Sequence, residues 1–312
     1  MSVYRRKEIK MEHTDKNFPW KHPKLKEEDP QSLELIKNVM ESPTYTMAEK
    51  DMEFLGSYEA RGIRLELDYL KAELKMNEYG IDHTIVVFGS ARIVERETAL
   101  KRLAHIEKIV SKEPENRTFL RELYIAERMV GKSIYYDDAR KFGALVGKSG
   151  KTVDDCSVTL MTGGGPGIME AANRGAHDVG AKSIGLNIKL PHEQYPNPYI
   201  TPDLCFLFHY FAIRKLHFLN RAKALVVYPG GFGTFDELFE TLTLIQTQKT
   251  EEIPVVLIGK RYWQKSIDFE FLKEEGVIAP EDMDIFYFAD NAEEAWEYIL
   301  AWHQNKGKPL YK

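Results

Sequence analysis

The residues with the clearest chemical use in this 312-residue chain lie in two glycine-rich segments. The first runs from Thr162 to Gly167 and the second from Pro229 to Thr234. Each follows a short apolar run and precedes a helical pattern, so each is predicted to join a strand to a helix. Glycine lets a ligand approach the backbone closely, and the N–H groups of a helix N-terminus favour phosphate. Two such loops predict a phosphate-binding pocket, although a single one can also be a tight turn without a ligand.

Charged side chains next to the second loop are the best candidates to act in this pocket. Glu237 falls on the first turn of the helix that follows the loop, where a carboxylate can stabilise a developing cation or orient a water. Arg214 and Lys215 fall on the helix before the strand that leads into the loop. Two plainer interpretations stay open: Glu237 can merely complement the helix dipole, and the basic pair can be a solvated helix face.

Neither loop has the pattern of a better-known nucleotide motif. The dinucleotide fingerprint G-x-G-x-x-G lacks its last glycine in both loops, where Ile168 and Asp236 stand instead. The P-loop pattern fails at Gly147-Lys148-Ser149, because the upstream glycine is one residue too close. The zinc pattern H-E-x-x-H fails at His192-Glu193. A dehydrogenase, a P-loop nucleotidase and a zinc enzyme are therefore disfavoured, and a mononucleotide or sugar-phosphate pocket remains.

The elements that must position these residues follow an alternating pattern. Short runs rich in β-branched residues are separated by helical patterns of about 10–15 residues, which indicates βαβ units and a parallel sheet. We therefore predict a Rossmann-like, doubly wound α/β fold with helices on both faces of the sheet. Both glycine loops then lie at the carboxyl ends of strands, where such sheets bind ligands. The predicted strands are Thr84–Phe88, Ser157–Met161, Ser183–Asn187, Leu204–Phe208, Ala224–Val227, Pro254–Ile258 and Ile285–Phe288.

The predicted domain spans residues 81–312; one further region precedes it and another is inserted within it. Residues 1–80 are rich in charge and have helical apolar spacing, for example from Leu33 to Met40 and from Ser57 to Tyr79. They are predicted to form a helical N-terminal extension, either a cap on the core or a part of regulation or assembly. Residues 95–132 are predicted to be a helical insertion, with one helix on either side of Pro114.

Composition narrows the class of protein. Hydrophobic residues make up 43% and charged residues 29%, which is typical of a globular chain. The net charge of −5 disfavours nucleic-acid binding, which requires a basic face. Apolar runs are far too short to span a membrane, and the N-terminus lacks the apolar core of a signal peptide. A soluble cytoplasmic protein is therefore expected, with Cys156 and Cys205 as reduced thiols because they fit no C-x-x-C pattern.

Taken together, these residues resemble the LOG family of nucleoside 5′-monophosphate phosphoribohydrolases. The segment Pro229–Glu237 matches the family signature PGGxGTxxE at every fixed position. Arg214-Lys215 matches the family's Arg-Lys pair on the preceding helix. The turns at Phe88–Arg92 and Gly163–Glu170 resemble the two earlier family turns. The resemblance covers about residues 81–300.

The resemblance is closest to the longer bacterial members of the family. This similarity is strongest between Gly185 and Gln248. The chain departs from the short plant-type members at residues 1–80 and 95–132. These departures affect the expected substrate and oligomer rather than the expected fold.

The resemblance implies a reaction and a set of site residues. The reaction is hydrolysis of the N-glycosidic bond of a nucleoside 5′-monophosphate, AMP-like or a cytokinin riboside monophosphate, to free base and ribose 5-phosphate. Arg214 and Glu237 would be catalytic, no metal or redox cofactor is required, and a homodimer or larger homo-oligomer is expected. The residues expected to bind substrate or phosphate are Gly230, Gly231, Gly233, Thr234, Gly164, Gly165, Ser90, Lys215, Glu170 and Arg92.

Two other functions stay open. One is a nucleotide-binding, sensing or cofactor-carrying module without turnover, and the other is a different hydrolase or transferase acting on a phosphorylated sugar. The presence of both Arg214 and Glu237 favours an enzyme, because a pure binder has no evident need of both. Family members are often labelled lysine decarboxylases, but that reaction would need a lysine bound to pyridoxal phosphate and a partner for its ring nitrogen. No such constellation is visible, and adenine, isopentenyl-adenine, guanine and pyrimidines all fit a planar ring beside a glycine loop.

Overall fold

The computed structural model describes residue 24, residues 27–150, 158–191 and 195–308, and residue 310. The described residues divide into two compact units, and the boundary lies between Leu67 and Asp68. Expectations that concern residues 1–23, Cys156, Ser157 or His192-Glu193 lie outside the described residues. The domain boundary after residue 80 stays a prediction.

The first unit holds short helices. They are α1 (Ser32–Met40), α2 (Met52–Gly56) and the beginning of α3 (Arg61–Glu78), which ends in the second unit. Asp51 caps α2 because its carboxylate accepts from the Phe54 N–H at 2.8 Å. The sequence predicts a helix from Ser57, but α3 begins four residues later. The Ser57 hydroxyl instead accepts from the Ala60 N–H at 3.3 Å in the turn ahead of the helix.

The second unit is built on a parallel sheet. Within the described residues it has seven strands in the order β4-β3-β2-β1-β5-β6-β7, and every pairing is parallel. This confirms the predicted Rossmann-like fold. The strands are β1 (His83–Phe88), β2 (Val158–Thr162), β3 (Ser183–Ile188), β4 (Cys205–Phe208), β5 (Ala222–Val227), β6 (Val255–Ile258) and β7 (Phe286–Ala289).

Helices connect these strands. Two of them lie on either side of Pro114, as the sequence predicts for residues 95–132. The helices of the second unit are α4 (Arg96–Val110), α5 (Arg117–Lys132), α6 (Ile134–Gly147), α7 (Ile168–Asp178), α8 (Phe211–Asn220), α9 (Phe232–Gln246), α10 (Lys260–Ser266), α11 (Phe269–Glu274) and α12 (Ala292–Asn305).

The sheet is covered on both faces, which explains why its strands are almost continuously apolar. Successive residues of β1 point to opposite sides: Val86 and Phe88 join one hydrophobic cluster, and Ile85 and Val87 join the other. The first cluster contains residues of α8, α9 and α10, and the second contains residues of α6, α7 and α12. The sheet therefore has a helical layer on each face and leaves its strand ends free to carry loops.

One helical pattern in the sequence is divided in the structure. Residues Tyr262–Glu275 have helical apolar spacing, but they form parts of two short helices, α10 and α11, because Ile267 adopts an extended backbone between them. The Asp268 carboxylate then caps α11 by accepting from the Phe271 N–H at 3.0 Å. Cys205, at the start of β4, is a free thiol and half-buried.

Candidate active site

The candidate site lies where the strand order of the sheet reverses. The chain runs from β1 to β2 on one side of β1 and later places β5 on its other side. The register pairs Val87 with Thr162 and Phe88 with Val227, so the three strands end together. Ligands of open α/β sheets bind in the crevice at such a point. The turn after β1 and both glycine loops open here.

Ser90 joins the three loops through its main chain. Its N–H donates to the Pro229 carbonyl at 3.0 Å, and its carbonyl accepts from the Ile168 N–H at 3.1 Å. Its side-chain hydroxyl accepts from the Arg92 N–H at 3.1 Å. The turn after β1 is therefore bonded directly to the second glycine loop and to the head of α7.

In the first glycine loop, glycine is required by the fold itself. Gly164 and Gly167 have φ of +70° and +76°, in the left-handed region that other residues rarely adopt. A Cβ on Gly164 would lie 1.8 Å from the Asn187 side chain, and one on Gly167 would lie 2.4 Å from the Ser90 carbonyl oxygen. A Cβ on Gly163 would lie 3.9 Å from Nη1 of Arg214, so this loop adjoins the predicted catalytic arginine.

Buried asparagines hold this loop from beneath, and the sequence reasoning missed them. Asn173 Oδ1 accepts from the Thr162 hydroxyl at 2.7 Å and from Asn197 Nδ2 at 3.0 Å. Asn197 Nδ2 also reaches the Gly165 carbonyl at 3.1 Å. The available signal was Asn173 itself, a polar residue on the buried, alanine-rich face of a helix. These bonds fix the position of Gly165, a predicted site residue.

The second glycine loop differs, because a Cβ added to two of its glycines would contact no other atom. A Cβ on Gly230 would collide with the Thr234 hydroxyl at 2.0 Å, so Gly230 is required by packing. A Cβ on Gly231 or Gly233 would have no atom within 4 Å. Gly231 also has an ordinary φ of −103°. The described residues supply no packing reason for glycine at these two positions, and the bare backbone faces open space.

The N-terminus of α9 begins in this loop. The sequence predicts a loop that runs to Thr234, where the helix is expected to begin, but α9 starts two residues earlier, at Phe232, because the N–H groups of Thr234 and Phe235 already donate to the Gly231 carbonyl. Among the described residues the N–H groups of Phe232 and Gly233 make no hydrogen bond. Free N–H groups at a helix N-terminus suit an anion.

The two predicted catalytic residues meet in the structure. Arg214 Nη2 on α8 lies 3.4 Å from Glu237 Oε1 on α9. Their side chains are 14% and 7% exposed, so the pair is almost withdrawn from water. The guanidinium lies over the rings of Phe211 and Phe218, at 5.0 and 5.4 Å. Its Nε is buried and has no hydrogen-bond partner among the described residues.

Burial dominates the ionisation of both residues. It raises the pKa of Glu237 to about 7, although the charges of Lys215 and Arg214 oppose the shift. Burial also lowers the pKa of Arg214, against the charge of Glu237, yet a guanidinium remains cationic. Glu237 can thus exchange a proton near neutral pH, which is what a general acid or base requires.

Lys215 is bound to the carboxylates of α9 and does not point freely into the pocket. Its ammonium lies 2.9 Å from Asp236, 2.9 Å from Glu240 and 3.9 Å from Glu237. Burial alone would lower its pKa, but the hydrogen bonds to Asp236 and Glu240 raise it. Lys215 therefore holds α8 against α9 beside the Arg214–Glu237 pair.

The remaining predicted residues lie at the edge of the site. Glu170, on the first turn of α7, accepts from the Tyr136 hydroxyl at 2.8 Å. Arg92 is exposed and follows Ser90 in the turn after β1. The structure thus brings Arg214, Glu237 and the glycine loops together and leaves Arg92 at the surface.

This arrangement can bind an anion and move a proton. The N–H groups at the head of α9 offer an anion site, and Glu237 lies one turn further along the same helix. Within the described residues no group of His, Cys, Asp or Glu is arranged to hold a metal ion. Among the helices of these residues, none combines the length and apolar character that a membrane span needs.

Known proteins resemble this chain over part of its length. A family model described as "Possible lysine decarboxylase" matches residues 169–299. Cytokinin riboside 5′-monophosphate phosphoribohydrolase LOG3 of Arabidopsis thaliana is 29% identical over 168 residues, which is 52% of this chain and 73% of the relative. The probable cytokinin riboside 5′-monophosphate phosphoribohydrolase LOG4 of Oryza sativa subsp. japonica is 30% identical over 158 residues, 49% of this chain and 67% of the relative.

Among solved structures, the molybdenum cofactor binding protein from Rippkaea orientalis is similar with a TM-score of 0.38 and 22% identity. That match covers 54% of this chain and 87% of the other. The structure of TM1055 is similar with a TM-score of 0.41 and 20% identity, over 70% of this chain and 98% of the other. The identity to the curated relatives, across two thirds of the rice protein, shows that this chain belongs to the LOG family.

Proposed function

We propose that this protein hydrolyses the N-glycosidic bond of a nucleoside 5′-monophosphate to free base and ribose 5-phosphate. The observation that carries the proposal is the buried contact between Arg214 on α8 and Glu237 on α9, with Glu237 one helical turn beyond a loop with free N–H groups. A nucleoside monophosphate has an anionic end and a bond that breaks with positive charge on its sugar. The curated relatives are named for this reaction, which supports the choice.

The phosphate would bind at the head of α9. The N–H groups of Phe232 and Gly233 would donate to it, and the positive end of the helix dipole would favour its charge. The open backbone at Gly231 would allow the close approach. The Thr234 hydroxyl would add a donor, while Gly230 would keep the loop in the shape that packing requires.

The sugar would lie toward Glu237. Glycosidic cleavage passes through a transition state with oxocarbenium character, which a nearby carboxylate stabilises. As the C1′–N bond breaks, its electron pair leaves with the base, and a water forms the new C1′–O bond. Glu237 would accept the proton of that water and pass it on to the departing base. Arg214 would hold the substrate and keep Glu237 oriented.

The other family positions would shape the pocket around the sugar. Gly164, Gly165 and Ser90 would line it, and Glu170 would accept from a ribose hydroxyl. Lys215 would position Glu237 through its contacts with α9. Arg92, at the exposed end of the turn after β1, would contact the substrate from the solvent side of the pocket.

The test is release of free base from a panel of nucleotides. Purified protein would be incubated with AMP, GMP, CMP, UMP and isopentenyl-AMP, and the products separated by chromatography. Glu237→Gln keeps the volume and removes the charge, and we expect it to lower turnover about 100- to 10,000-fold while nucleotide still binds. Glu297→Gln, the same change on the exposed side of α12, is the matched control and should retain full activity.

The outcomes separate the candidate functions. Base release that depends on Glu237 supports the hydrolase. Binding of nucleotides without any release would favour the non-catalytic module. Turnover unchanged in Glu237→Gln would remove that residue from the mechanism.

A further inference from the structure

A cavity of about 350 Å³ lies between the helical insertion and the turn after β1. Neither the family signature nor the proposed catalytic pair contributes to its walls. The turn supplies Ala91 and Arg92, α4 supplies Ala99, and α5 supplies Ala126 and Met129. The cavity therefore exists only because residues 95–132 fold as a helical pair over the turn.

The cavity adjoins the candidate active site. Ala91 directly follows Ser90, the residue bonded to both the second glycine loop and the head of α7. A Cβ on Gly167 would lie 2.7 Å from the Ala91 carbonyl carbon, so this wall also packs against the first glycine loop. An ion pair between Glu95 and Arg174 fastens the start of α4 to α7. One wall of the cavity is thus the loop that organises the active site.

The lining indicates what the cavity can accept. Three alanines leave space where larger side chains would fill it, and Met129 can adapt to the shape of a ligand. Arg102 and Glu122 also line the cavity and offer a donor and an acceptor. The volume lies at the lower end of the range for small-molecule sites, which are mostly apolar with a few polar groups. A flat heteroaromatic ring with an apolar substituent fits this description.

We propose that this cavity receives the base of the nucleotide, so that the insertion decides which bases the enzyme accepts. The ligand class is a purine-sized base that carries an apolar substituent. The inference rests on the proposed function, because it extends the same site from the phosphate and sugar to the base.

The test changes the volume of the cavity in both directions. Ala126→Phe fills it and Met129→Ala enlarges it. We expect Ala126→Phe to lower kcat/KM for isopentenyl-AMP by about tenfold more than for AMP, because the substituent loses its space. Met129→Ala should raise kcat/KM for a bulkier benzyl-substituted AMP relative to AMP, because the enlarged cavity has room for the benzyl group. Inhibition by ribose 5-phosphate, which has no base, should stay unchanged in both variants.

Ala104→Phe is the matched control. It makes the same substitution at an exposed position of α4 that does not line the cavity, and it should leave every ratio unchanged. The thermal midpoint of each variant would show that the insertion still folds.

The results distinguish the two proposals. If the wild-type protein releases base but the substrate ratios are the same in all variants, the cavity is not the base site and the proposed function stands. If the wild-type protein releases no base, the proposed function fails. The affinities of each variant for isopentenyl-AMP and for AMP would then be measured, and their ratio would decide whether the cavity binds the base.

Discussion

Glu237 combines two properties that oppose each other. Its carboxyl group is buried, which disfavours the charged form, yet Lys215 and Arg214 lie close enough to favour it. Burial prevails, and the pKa rises to about 7. A carboxyl group of this kind is half ionised near neutral pH, so proton transfer to or from it has little thermodynamic cost. Under the proposed function, the site therefore has a proton acceptor at neutral pH whose carboxylate can also stabilise a cationic sugar.

This pKa predicts the pH dependence of the reaction. The ionised carboxylate is the form that accepts a proton and stabilises positive charge, so activity should be lost as the pH falls through about 7. We expect kcat/KM to rise about tenfold per pH unit below that value and to level off above it. The measurement is a rate profile from about pH 5 to about pH 9, with Glu297→Gln as the control. A profile that falls as the pH rises would instead make Glu237 a general acid.

At this scale the sequence predicted which residues share a site but not their environment. The family resemblance implies that Arg214 and Glu237 act in one site, and Arg214 Nη2 lies 3.4 Å from Glu237 Oε1 in the structure. Burial of the pair depends on what α8 and α9 pack against. The spacing of residues along the sequence gives no information about that packing. Asn173 and Asn197 were missed for the same reason, because a buried amide is recognised by its partners and not by its neighbours in sequence.

Among the loops, the two glycine segments have different physical requirements. Position 164 requires glycine because its φ is positive and because a Cβ there would collide with Asn187. Gly231 has an ordinary angle and open space around its Cβ position. The first loop is therefore constrained by the fold, whereas the second is free of that constraint at the point where the proposed phosphate approaches.

This difference predicts opposite effects for one substitution. Gly231→Ala should change the free energy of unfolding by less than about 1 kcal/mol, since nothing in the fold obstructs the methyl group. It should weaken nucleotide binding by about tenfold, because the methyl group occupies the phosphate approach. Gly164→Ala should cost about 2 kcal/mol or more of stability through strain and collision with Asn187. Denaturant unfolding and nucleotide titration measure both effects, and unaltered affinity in Gly231→Ala would move the phosphate site elsewhere.

The strands and helices were largely predictable, since buried parallel strands appear in a sequence as short runs of β-branched residues. The errors lie at the ends. The helix α9 begins at Phe232 and not at Thr234, because Gly-Phe-Gly has low helix propensity and only the hydrogen bonds to the Gly231 carbonyl define the start. The cavity under α4 and α5 was not predictable, because it depends on how two amphipathic helices pack and not on either pattern alone.

At the scale of the whole molecule, the second unit exposes apolar side chains beside its site. Phe211 and Leu216 on α8 and Phe239 on α9 are exposed, and Phe232 is 97% exposed at the head of α9. Single exposed apolar residues are ordinary, but these lie on the two helices that also carry Arg214 and Glu237. Such a surface is typical of a contact between protein chains.

A homodimer or larger assembly is therefore the expected state of the full chain. Sedimentation should give at least twice the 36.1 kDa chain mass, and Leu216→Glu should shift the equilibrium toward single chains by placing a charge in the contact. Leu100→Glu, at an exposed position of α4, provides the matched control and should sediment like the wild type. A wild-type protein that sediments at the mass of one chain would contradict the expectation.

The main-chain bonding of Ser90 has a consequence for how the molecule tolerates mutation. Its N–H and carbonyl, and not its side chain, connect the turn after β1 to the second glycine loop and to the head of α7. Almost any residue can supply those two groups, so exchange of the side chain should leave the three loops joined. Proline alone lacks the N–H. In a library of all substitutions at position 90, sorted by resistance to proteolysis, proline should stand apart as the one strongly depleted residue.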